Sequence, residues 1–581
     1  MRKFIRQINL ILSIFMIFCF ISSCKSNKGE TGNKIQVDNI YKGSGKFDKD
    51  TLYISASNFN SSNNNAIVKQ DILNVGIKYL NKFNFNPYLI ESNYDYQVID
   101  AIWEPLMKTG LDGEFFPNIL KQLPTVSEDR KTYFFSLRED LVWEDGTKLT
   151  TKDVDFTYKF LMDSNYRGSF DRETLDIKNW REYNSGSVDF IEGIEIIDEY
   201  NFRVTVENPS VQTIGLLNIY PLSYLYYGQY YYQGRANEIF ERNLRPFGNG
   251  VFKFLGYEDE NYLILKANEN YYKGKTDIET LTFKKVDEEN YIRNLISGDI
   301  DIAYDVLFNN ENIEKTANAQ FLNGYIFDSY GYVSIGINHS NESLKEIPVR
   351  KAINLAIDKN KIAESVSNLK LNVIDSPIDR IFYKFFYDKD NVKNTFNKIE
   401  AVRVLNEQGW IKNRYDIFEK DGKALQFKIL VQKNDKLCQN IYPKIELDLK
   451  NAGISLIKEE FDIYNISDFI SKKNDYDLFL VSDGFISGSS WYRSFHTSGM
   501  DNHIFYSNQR LDEILTHINR NFDIESNKDF YIEAYEILKE DLPVIPLFQC
   551  KKFDVYNRRI FGINSVNIFK TFYYDEIILR K

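Results

Sequence analysis

The chain is 581 residues long, carries a formal net charge of −11 and is 43% hydrophobic and 15% aromatic. This length exceeds a single domain of ~100–200 residues, so we expect two or three lobes, each with ample core-forming side chains. The acidic balance and the lack of basic stripes exclude nucleic acid as a partner, because phosphate binding requires clustered cations.

An amino-terminal secretory signal is predicted by three cations and the apolar run that follows them. Arg2, Lys3 and Arg6 precede about a dozen mostly apolar residues, which are too few to span a bilayer as a helix. The run ends in Ile-Ser-Ser just before Cys24, a pattern that resembles the lipobox of bacterial lipoproteins. The resemblance implies that residues 1–23 are removed as a signal peptide and that the Cys24 thiol carries the lipid.

The residues after the signal are predicted to form a flexible tether. Residues 24–50 are polar and contain few large apolar side chains, so they cannot bury enough surface to fold. Cysteines are sparse beyond this point, since only Cys438 and Cys550 remain. These two either pair with each other or stay as separately buried thiols. The asparagine-rich stretch 56–76 is expected to be a loop insertion.

A strand, a turn and a helix are predicted in order in the first third of the chain. The alternating run 133–137 places large apolar side chains on one face of a strand. The sequence Glu-Asp-Gly that ends at Gly146 indicates a turn. Thr150 followed by Asp153 matches the capping box that opens a helix.

Two amphipathic helices are predicted farther along. The first starts near Pro348, and its apolar side chains form a stripe that we expect in the core: Val349, Ala352, Ile353, Ala356 and Ile357. The second is expected to carry Ile399, Val402 and Leu405 inward and to end at Gly409. Strands and helices interleave along the whole chain, which favours α/β lobes with mixed sheets.

A series of motifs runs in a fixed order through the chain. The stretch 133–160 contains Leu137, Arg138, Trp143, Asp145, Gly146, Thr147, Thr151, Asp153 and Val154. After it come RPFGNGVFKF, ANENYY, LISGDIDIAYDV, PVRKAINLAID, KIEAVRVLNEQGW, YDLFLVSDGF, NHIFYSNQRLDEIL and EDLPVIPLF. Taken together they resemble the extracellular solute-binding proteins of family 5, the peptide and nickel receptors of ABC importers, over nearly the whole mature chain.

The resemblance implies an α/β fold of the periplasmic-binding-protein type II (cluster C) class. Two lobes with mixed sheets are joined by a two-crossing hinge, an extra domain is added, and the ligand is enclosed between the lobes. Lobe I is expected to comprise residues 51–80, 204–327 and 510–581, the extra domain II residues 81–203, and lobe III residues 328–509. Closure around the ligand is a hinge motion, and the permease reads the closed form.

The ligand site is implied by the same resemblance. In the family's peptide receptors the ligand lies extended against strand edges, and its side chains occupy hydrated pockets. The matching edge segments are Ser92, Asn93, Tyr94 and Asp95 near the amino end and Asp483, Gly484, Phe485, Ile486 and Ser487 near the other crossing. Tyr330 and Gly331 are expected at the hinge, and Trp491 is expected to line the cleft. The alternative interpretation is that both segments are ordinary loops.

One family feature is missing from this sequence. Peptide binders of the family place an aspartate shortly after a Gly-Trp pair to receive the ammonium group of the ligand, because a buried cation needs a countercharge. Either alignment puts that position on the uncharged Ile486 or Gly488. Therefore either Asp483 takes over the role from a shifted register, or the ligand presents no free amine there.

The remaining candidate residues favour structural roles. The aromatic run from Tyr220 to Gly234 either lines the cleft or packs with some rings exposed. The four histidines, which are His339, His496, His503 and His517, match no zinc spacing and are interpreted as surface-loop residues, so no metal ligand is assigned. Asp299 and Asp301 share one face of a strand, where a solvated edge is favoured over acid–base work. The GNGVFK sequence lacks the third glycine of a dinucleotide fingerprint and is interpreted as a turn.

These observations predict a binding protein and not an enzyme, because no nucleophile elbow, phosphate loop or metalloprotease helix is present. We expect a monomeric lipoprotein, without a cofactor, that is anchored to the outer face of a membrane in the periplasm or at the cell surface. It is expected to capture a peptide or a related small solute and to deliver it to the permease subunits of an ABC importer. The alternatives are an adhesin, a sensor or a chaperone of the same fold, and, less favoured, a peptidase.

Overall fold

The structure is a computed structural model. It describes residues 47–48, 53–56, 71–80, 85–90, 92, 94–110, 115–367, 371–377, 396–461, 476–482, 491–520, 524–563 and 572–580. The signal peptide, most of the tether, most of the asparagine-rich stretch and the segment Asp483, Gly484, Phe485, Ile486 and Ser487 lie outside these residues. The chain divides into two compact units. Unit 1 contains the described residues up to Phe327 and those from Lys552 onward, whereas unit 2 runs from Asp328 to Lys551.

The chain up to the first unit boundary contains many short strands and helices. Its strands are β1 Phe47–Asp48, β2 Tyr53–Ile54, β3 Ile72–Ile77, β4 Met107–Thr109, β5 Phe115–Pro117, β6 Thr125–Val126, β7 Thr132–Ser136, β8 Ile194–Ile196, β9 Asn201–Thr205, β10 Phe252–Glu258, β11 Tyr262–Ala267, β12 Thr280–Lys285 and β13 Ile302–Ala303. Its α-helices are α1 Asp95–Ile102, α2 Thr151–Leu161, α3 Arg172–Leu175, α4 Trp180–Asn184, α5 Thr213–Leu216, α6 Tyr291–Ser297 and α7 Asn310–Ala319. Short 3₁₀ helices cover Gly228–Tyr230, Ala236–Leu244 and Glu288–Asn290.

The rest of the chain contains two long strands that pass through the unit boundaries. Its strands are β14 Leu322–Ile337, β15 Ile411–Lys412, β16 Phe418–Lys420, β17 Lys423–Ala424, β18 Gln426–Gln432, β19 Ser455–Phe461, β20 Leu478–Val481, β21 Val544–Asn557, β22 Ile560–Phe561 and β23 Ile578–Leu579. Its α-helices are α8 Glu342–Lys345, α9 Ile347–Ala356, α10 Lys359–Val366, α11 Lys398–Glu407, α12 Lys436–Asn451, α13 Trp491–Phe495, α14 Gln509–Arg520 and α15 Ile524–Asp541, and a 3₁₀ helix covers Tyr574–Glu576. The two crossings therefore fall inside the long strands β14 and β21.

The main sheet of unit 1 mixes parallel and antiparallel pairs. Its strand order is β10-β11-β12-β3-β13, followed by the part of β21 that belongs to this unit. β12, β3 and β13 run parallel, with Ile72 opposite Thr280 and Val75 opposite Ile302. β10 and β11 form an antiparallel pair at the edge. A second core in unit 1 lies between α2 and the antiparallel sheet β6-β7-β9-β8.

Unit 2 contains a sheet of the same mixed kind. β20, β18 and β19 run parallel, and Ile429 of the central strand lies opposite both Leu478 and Lys458. The part of β14 in this unit pairs antiparallel with β20, where Ser334 lies opposite Val481. The α/β class with mixed sheets predicted from the sequence is therefore confirmed.

Several local predictions are confirmed because the pattern behind each is contained in a few residues. Tyr133, Phe135 and Leu137 are all buried on one face of the β7 segment. Thr150 and Asp153 form the reciprocal capping box that opens α2, in which the Thr150 N–H donates to Asp153 Oδ2 at 2.8 Å. The predicted apolar stripe of α9 is buried in full: Val349, Ala352, Ile353, Ala356 and Ile357.

The predicted inward face of α11 is wrong at its first position. Ile399 is 81% exposed, whereas Ala401 and Leu405 are buried. Residues four apart share a helix face, and a residue two positions before Ala401 lies on the opposite side. The stripe is therefore shifted in phase, and the small Ala401 takes the place expected for the large Ile399.

The second unit boundary also differs from the expected one. Residues 510–551, which the sequence analysis assigned to lobe I, belong to unit 2. The reason is packing, because Leu511, Ile514 and Leu515 of α14 and Tyr531 and Leu538 of α15 are buried in a core cluster of unit 2. An apolar helix face packs against the nearest available core, whatever its distance along the chain.

The described residues also give information on the two cysteines and on membrane-spanning helices. Cys438 and Cys550 are both buried in unit 2 and form no disulfide, which agrees with two separate thiols. Among the residues that the structure describes, no helix is both long and apolar enough to cross a membrane.

Candidate functional site

Two parallel strands of unit 1 are followed in the chain by polar segments. In parallel α/β sheets, ligands bind outside the carboxyl ends of the strands. The chain leaves β3 at Ile77 and continues to the predicted segment 92–95, and it leaves β13 at Ala303 and continues to Asp305. Because β3 and β13 are parallel neighbours, both continuations start from the same edge of the sheet.

Unit 2 repeats this arrangement with its own three parallel strands. β18 ends at Gln432 and leads to Asp435, and β20 ends at Val481 and leads to Ser482. The Ser482 hydroxyl donates to the Asp435 carboxylate, whose other oxygen caps α12 by accepting from the Cys438 N–H at 2.9 Å. The predicted ligand segment 483–487 follows directly, although it lies outside the described residues. In the order of the chain, each of the two predicted segments therefore follows a parallel strand of its own unit.

The described part of the first segment is a turn that starts α1. The Ser92 N–H donates to Asp95 Oδ2 at 3.0 Å, and the Tyr94 N–H donates to Ser92 Oγ at 3.2 Å. The Asp95 side chain is buried, and its own N–H donates to the Ser92 carbonyl at 3.1 Å. These contacts fix the backbone of the segment and engage the polar side chains of Ser92 and Asp95 within the turn. Asn93 lies outside the described residues.

Buried acids on and after α1 hold this helix in place, and the sequence reasoning missed them. Asp100 Oδ1 accepts from the Tyr220 hydroxyl at 2.8 Å, and Asp100 Oδ2 accepts from the Phe572 N–H at 2.8 Å. Glu104 is buried as well and accepts from Asn118 Nδ2 and from the Tyr271 hydroxyl, each at 2.6 Å. The sequence contained a signal for them, because these acids interrupt an otherwise apolar stretch. A buried acid needs hydrogen-bond partners.

The same network connects α1 to the carboxyl-terminal segment of unit 1. Lys108 Nζ lies 2.7 Å from Asp575 Oδ1 and 3.7 Å from Glu104 Oε2, and it sits over the Tyr573 ring at 4.8 Å. Lys273 Nζ binds the second Asp575 oxygen at 2.7 Å. Residues far apart in the chain therefore stabilise α1 together, and with it the first predicted ligand segment.

Burial raises the pKa of the Asp100 carboxyl to about 7, which gives a pH prediction. The folded chain keeps this proton above pH ~4, where the unfolded carboxyl has lost it. Unfolding then releases a proton between pH ~4 and ~7, so the stability of unit 1 falls as pH rises through this window, by up to about 1.4 kcal/mol per pH unit for one group. We expect Asp100→Asn to reduce this slope in urea unfolding series between pH 5 and 8.

The exposed Asp129 supplies the control for this slope. Hydrogen bonds from Ser127 and Lys131 lower the pKa of its carboxyl, so it stays ionised in both states above pH 5. Asp129→Asn should therefore leave the slope unchanged. An Asp100→Asn slope equal to that of the wild type would refute the role given to Asp100.

Tyr330 and Gly331 lie within β14, just inside unit 2. The Gly331 N–H donates to Ser329 Oγ at 3.0 Å, and the Ser329 carbonyl accepts from Gln549 Nε2 at 2.9 Å. The contact with Gln549 links the strand that enters unit 2 with the strand that leaves it. Tyr330 and Gly331 follow the unit boundary at Phe327 closely, and their part in a hinge stays a prediction.

Two consecutive lysines at the other crossing were also missed. Lys551 Nζ lies 2.6 Å from Asp328 Oδ1 in unit 2, and the Lys551 side chain is only 4% exposed. Lys552 Nζ lies 3.2 Å from Asp305 Oδ1 in unit 1. Neighbouring residues are thus each paired within a different unit, one on either side of the unit boundary. No local pattern identifies such pairs.

Trp491 is part of a core in this structure. Its ring is 5% exposed and packs edge-on against Tyr531 with a centroid distance of 5.3 Å. It begins α13 and belongs to the same cluster as Phe479. The ring leaves little surface for a ligand, so any part of Trp491 in binding would act through the placement of the preceding segment 483–487.

The aromatic run from Tyr220 to Gly234 is mainly packing. Tyr227 is fully buried, and Tyr231 donates to Asp163 Oδ2 at 2.8 Å. Tyr230 and Tyr232 remain 46% and 66% exposed. The packing alternative, in which some rings are exposed, therefore describes the run in unit 1.

The interpretation of all four histidines as surface-loop residues is wrong for His339. Its Nε2 lies 3.0 Å from the Pro543 carbonyl, and burial lowers its pKa to about 4. His517 lies on α14 with its ring 4.1 Å from that of Phe530, so it is not a loop residue either. Within the described ranges no group of three or more His, Cys, Asp and Glu side chains could hold a metal ion.

The interpretation of Asp299 and Asp301 as one solvated edge is also wrong. Asp299 is exposed, but the Asp301 side chain is 1% exposed and pairs with Arg559 at 2.8 Å. Asp301 Oδ2 also accepts from the Asn74 N–H at 2.9 Å. Residue 301 therefore stabilises the sheet of unit 1 and is not available for acid–base chemistry.

Each unit has a mixed sheet whose parallel strands are followed in the chain by polar residues, an arrangement found in solute-binding receptors of the α/β type. Residues 114–502 match the family of bacterial extracellular solute-binding proteins, family 5 Middle, and the chain belongs to this family. Members of the family bind solutes without transforming them, so the chain is a binding protein and not an enzyme.

Individual relatives agree with this assignment. The oligopeptide-binding protein AppA of Bacillus subtilis is 24% identical over 422 residues, which is 72% of this chain and 75% of the relative. The structure of AppA in complex with a nonapeptide has a TM-score of 0.73 at 22% identity and covers 88% of this chain and 99% of that one. NikZ of Campylobacter jejuni in complex with Ni(L-His) has a TM-score of 0.70 at 23% identity and covers 85% and 95%.

Proposed function

We propose that the chain is the solute-capturing lipoprotein of an ABC importer, anchored through Cys24, that binds peptides in the interlobe cleft predicted from the sequence and hands them to the permease. Family membership carries the binding role. The peptide specificity is supported by AppA, whose name and structure report oligopeptide binding. The lipid anchor is supported by the lipobox-like sequence that ends at Cys24.

An extended peptide is the proposed ligand because the structure of AppA, which this chain resembles, holds a nonapeptide. The turn that starts α1 engages the N–H groups of Ser92, Tyr94 and Asp95 internally, together with the side chains of Ser92 and Asp95, so it offers a peptide a backbone of fixed shape to lie against. Backbone-directed binding tolerates many ligand side chains. We propose that Ser92, Asn93, Tyr94 and Asp95 in unit 1 and Tyr330, Gly331, Trp491 and residues 483–487 in unit 2 form or support the two contact surfaces.

Native mass spectrometry of the mature protein, purified without denaturation, tests this proposal. We expect a series of bound masses that peptide sequencing identifies as short peptides. A nickel–histidine adduct in their place would contradict peptide binding, and a protein without any adduct that also fails to bind a defined peptide library would do so too. Uptake of labelled peptide by a deletion strain separates import from the adhesin, sensor and chaperone alternatives.

Asp483 gives a sharper test of the ligand chemistry. If its carboxylate receives the ammonium group of the ligand, we expect Asp483→Asn to weaken binding of a free-amine peptide about tenfold or more, because a buried cation loses its countercharge. The N-acetylated form of the same peptide is the matched control, and isothermal titration should show little change for it on substitution. Equal affinities of both proteins for the free-amine peptide would rule out this role and favour a ligand without a free amine.

A further inference from the structure

Exposed apolar side chains concentrate in one short part of unit 1. Five large ones lie within 20 residues, and we call them the aromatic surface: Leu225, Tyr230, Tyr232, Phe240 and Leu244. Their exposures run from 36% for Phe240 to 66% for Tyr232. Scattered exposed apolar residues are normal, but a concentration of them marks an interaction site.

A cation–π contact connects the two short helices that carry most of these residues. The Arg242 guanidinium lies 4.4 Å from the centre of the Tyr230 ring and 5.3 Å from that of the Tyr226 ring. It thereby links the two 3₁₀ helices of this region. Ala236, Ile239 and Asn243 form the buried face of the second helix, which leaves Phe240 and Leu244 directed to solvent.

Residues 224–245 carry a small excess of positive charge in an acidic chain. Residues 224–245 contain three arginines and two glutamates, whereas the whole chain has a net charge of −11. Lys152 adds a fourth cation, because its Nζ lies 3.9 Å from the centre of the Tyr224 ring. Two acids, Asp153 and Asp163, accept hydrogen bonds from residues of the same range, but both are buried. Exposed tyrosines and leucines beside arginine and lysine are typical of surfaces that enter the headgroup layer of a membrane.

The amino-terminal tether makes a membrane the partner that is always within reach. The described part of unit 1 begins at Phe47, so 22 residues separate it from Cys24, and they span at most ~80 Å. The aromatic surface lies on the same unit as this attachment. A tether raises the effective concentration of the surface at the bilayer, so a weak contact suffices to orient the body.

We propose that the aromatic surface docks on anionic phospholipid and so holds unit 1 in a set orientation on the membrane. The role of the tether rests on the lipid anchor of the proposed function, whereas the charge and apolar content of the surface do not. Permease contact and self-association are the competing uses of the surface, and both are independent of lipid charge.

Hydrogen exchange of the mature lipoprotein in vesicles tests the proposal. We expect amides 224–245 to exchange several-fold more slowly in vesicles that contain phosphatidylglycerol than in pure phosphatidylcholine, and salt should weaken this protection. Tyr230→Ser combined with Arg242→Glu should abolish the difference, because each cation near an anionic surface shifts the equilibrium about fivefold. Equal exchange in both kinds of vesicle, or protection that the double variant retains, would overturn the proposal.

Unit 2 offers a matched control for the double variant. Arg414 lies 4.7 Å from the centre of the Tyr415 ring, and this tyrosine is 67% exposed. Tyr415→Ser combined with Arg414→Glu should leave the protection of amides 224–245 intact. If the protein fails to stay on vesicles because it carries no lipid, co-sedimentation at high vesicle concentration replaces exchange. Binding that depends on phosphatidylglycerol and on Arg242 would still support docking, and its absence would refute it. Peptide affinity, measured on the same samples, reports separately on the proposed function.

Discussion

Replacement of Asp301 by alanine is expected to lower the free energy of unfolding of unit 1 by about 3–5 kcal/mol. The Asp301 carboxylate binds Arg559 through Nε at 3.0 Å and Nη2 at 2.8 Å, and the two side chains are 1% and 10% exposed. Loss of the carboxylate leaves the buried guanidinium without its countercharge and the Asn74 N–H without its acceptor. Both changes carry the desolvation cost of a buried polar group that has lost its partner.

Asp299 provides the control two positions away. It is exposed and bonds only locally, with the Ser297 hydroxyl at 2.5 Å, so Asp299→Ala should change stability by about 0.5 kcal/mol or less. Urea unfolding, followed by hydrogen exchange of the β3 amides and of the β21 amides in unit 1, measures the free energy of unfolding of unit 1 in both variants. If the two alanine variants proved equally stable, the buried Asp301 carboxylate would not stabilise unit 1 as proposed.

The contrast between these aspartates shows what the sequence could predict. β7, the capping box of α2 and the stripe of α9 follow from patterns with periods of 2 and 3.6 residues, which are complete within a dozen positions. The order of motifs identified the family for the same reason, because each motif is a local turn or cap. The sequence places Asp299 and Asp301 in one such pattern, and nothing local distinguishes them.

What remained hidden depends on residues far apart in the chain. Arg559 lies 258 positions after Asp301, and Lys551 pairs with Asp328 across more than two hundred residues. The phase of α11 depends on which face meets α9, so Ile399 could not be placed from its own helix. The candidate site also depends on residues far apart in the chain, because its two segments follow strands of different units.

A methyl group added at Gly248 is expected to be nearly as damaging as the loss of Asp301. The Cβ of an alanine there would stand 1.9 Å from the Ile102 carbonyl oxygen, which is backbone and cannot rotate away. The neighbouring Gly250 N–H donates to that same oxygen at 2.7 Å, so the glycine segment packs directly on the end of α1. We expect Gly248→Ala to cost about 3 kcal/mol or more, since a clash with backbone forces a main-chain shift.

Gly256 gives the comparison, because it lies in β10 and a Cβ added there would meet no heavy atom within 4 Å. Gly256→Ala should be neutral or stabilising by up to about 1 kcal/mol, through the reduced freedom of the unfolded chain. Because α1 carries Asp95 and follows Tyr94, the Gly248→Ala variant should also bind peptide more weakly than Gly256→Ala. Thermal unfolding and peptide titration of the two alanine variants check both effects, and similar results at the two positions would show that the close approach to Ile102 does not hold the first ligand segment in place.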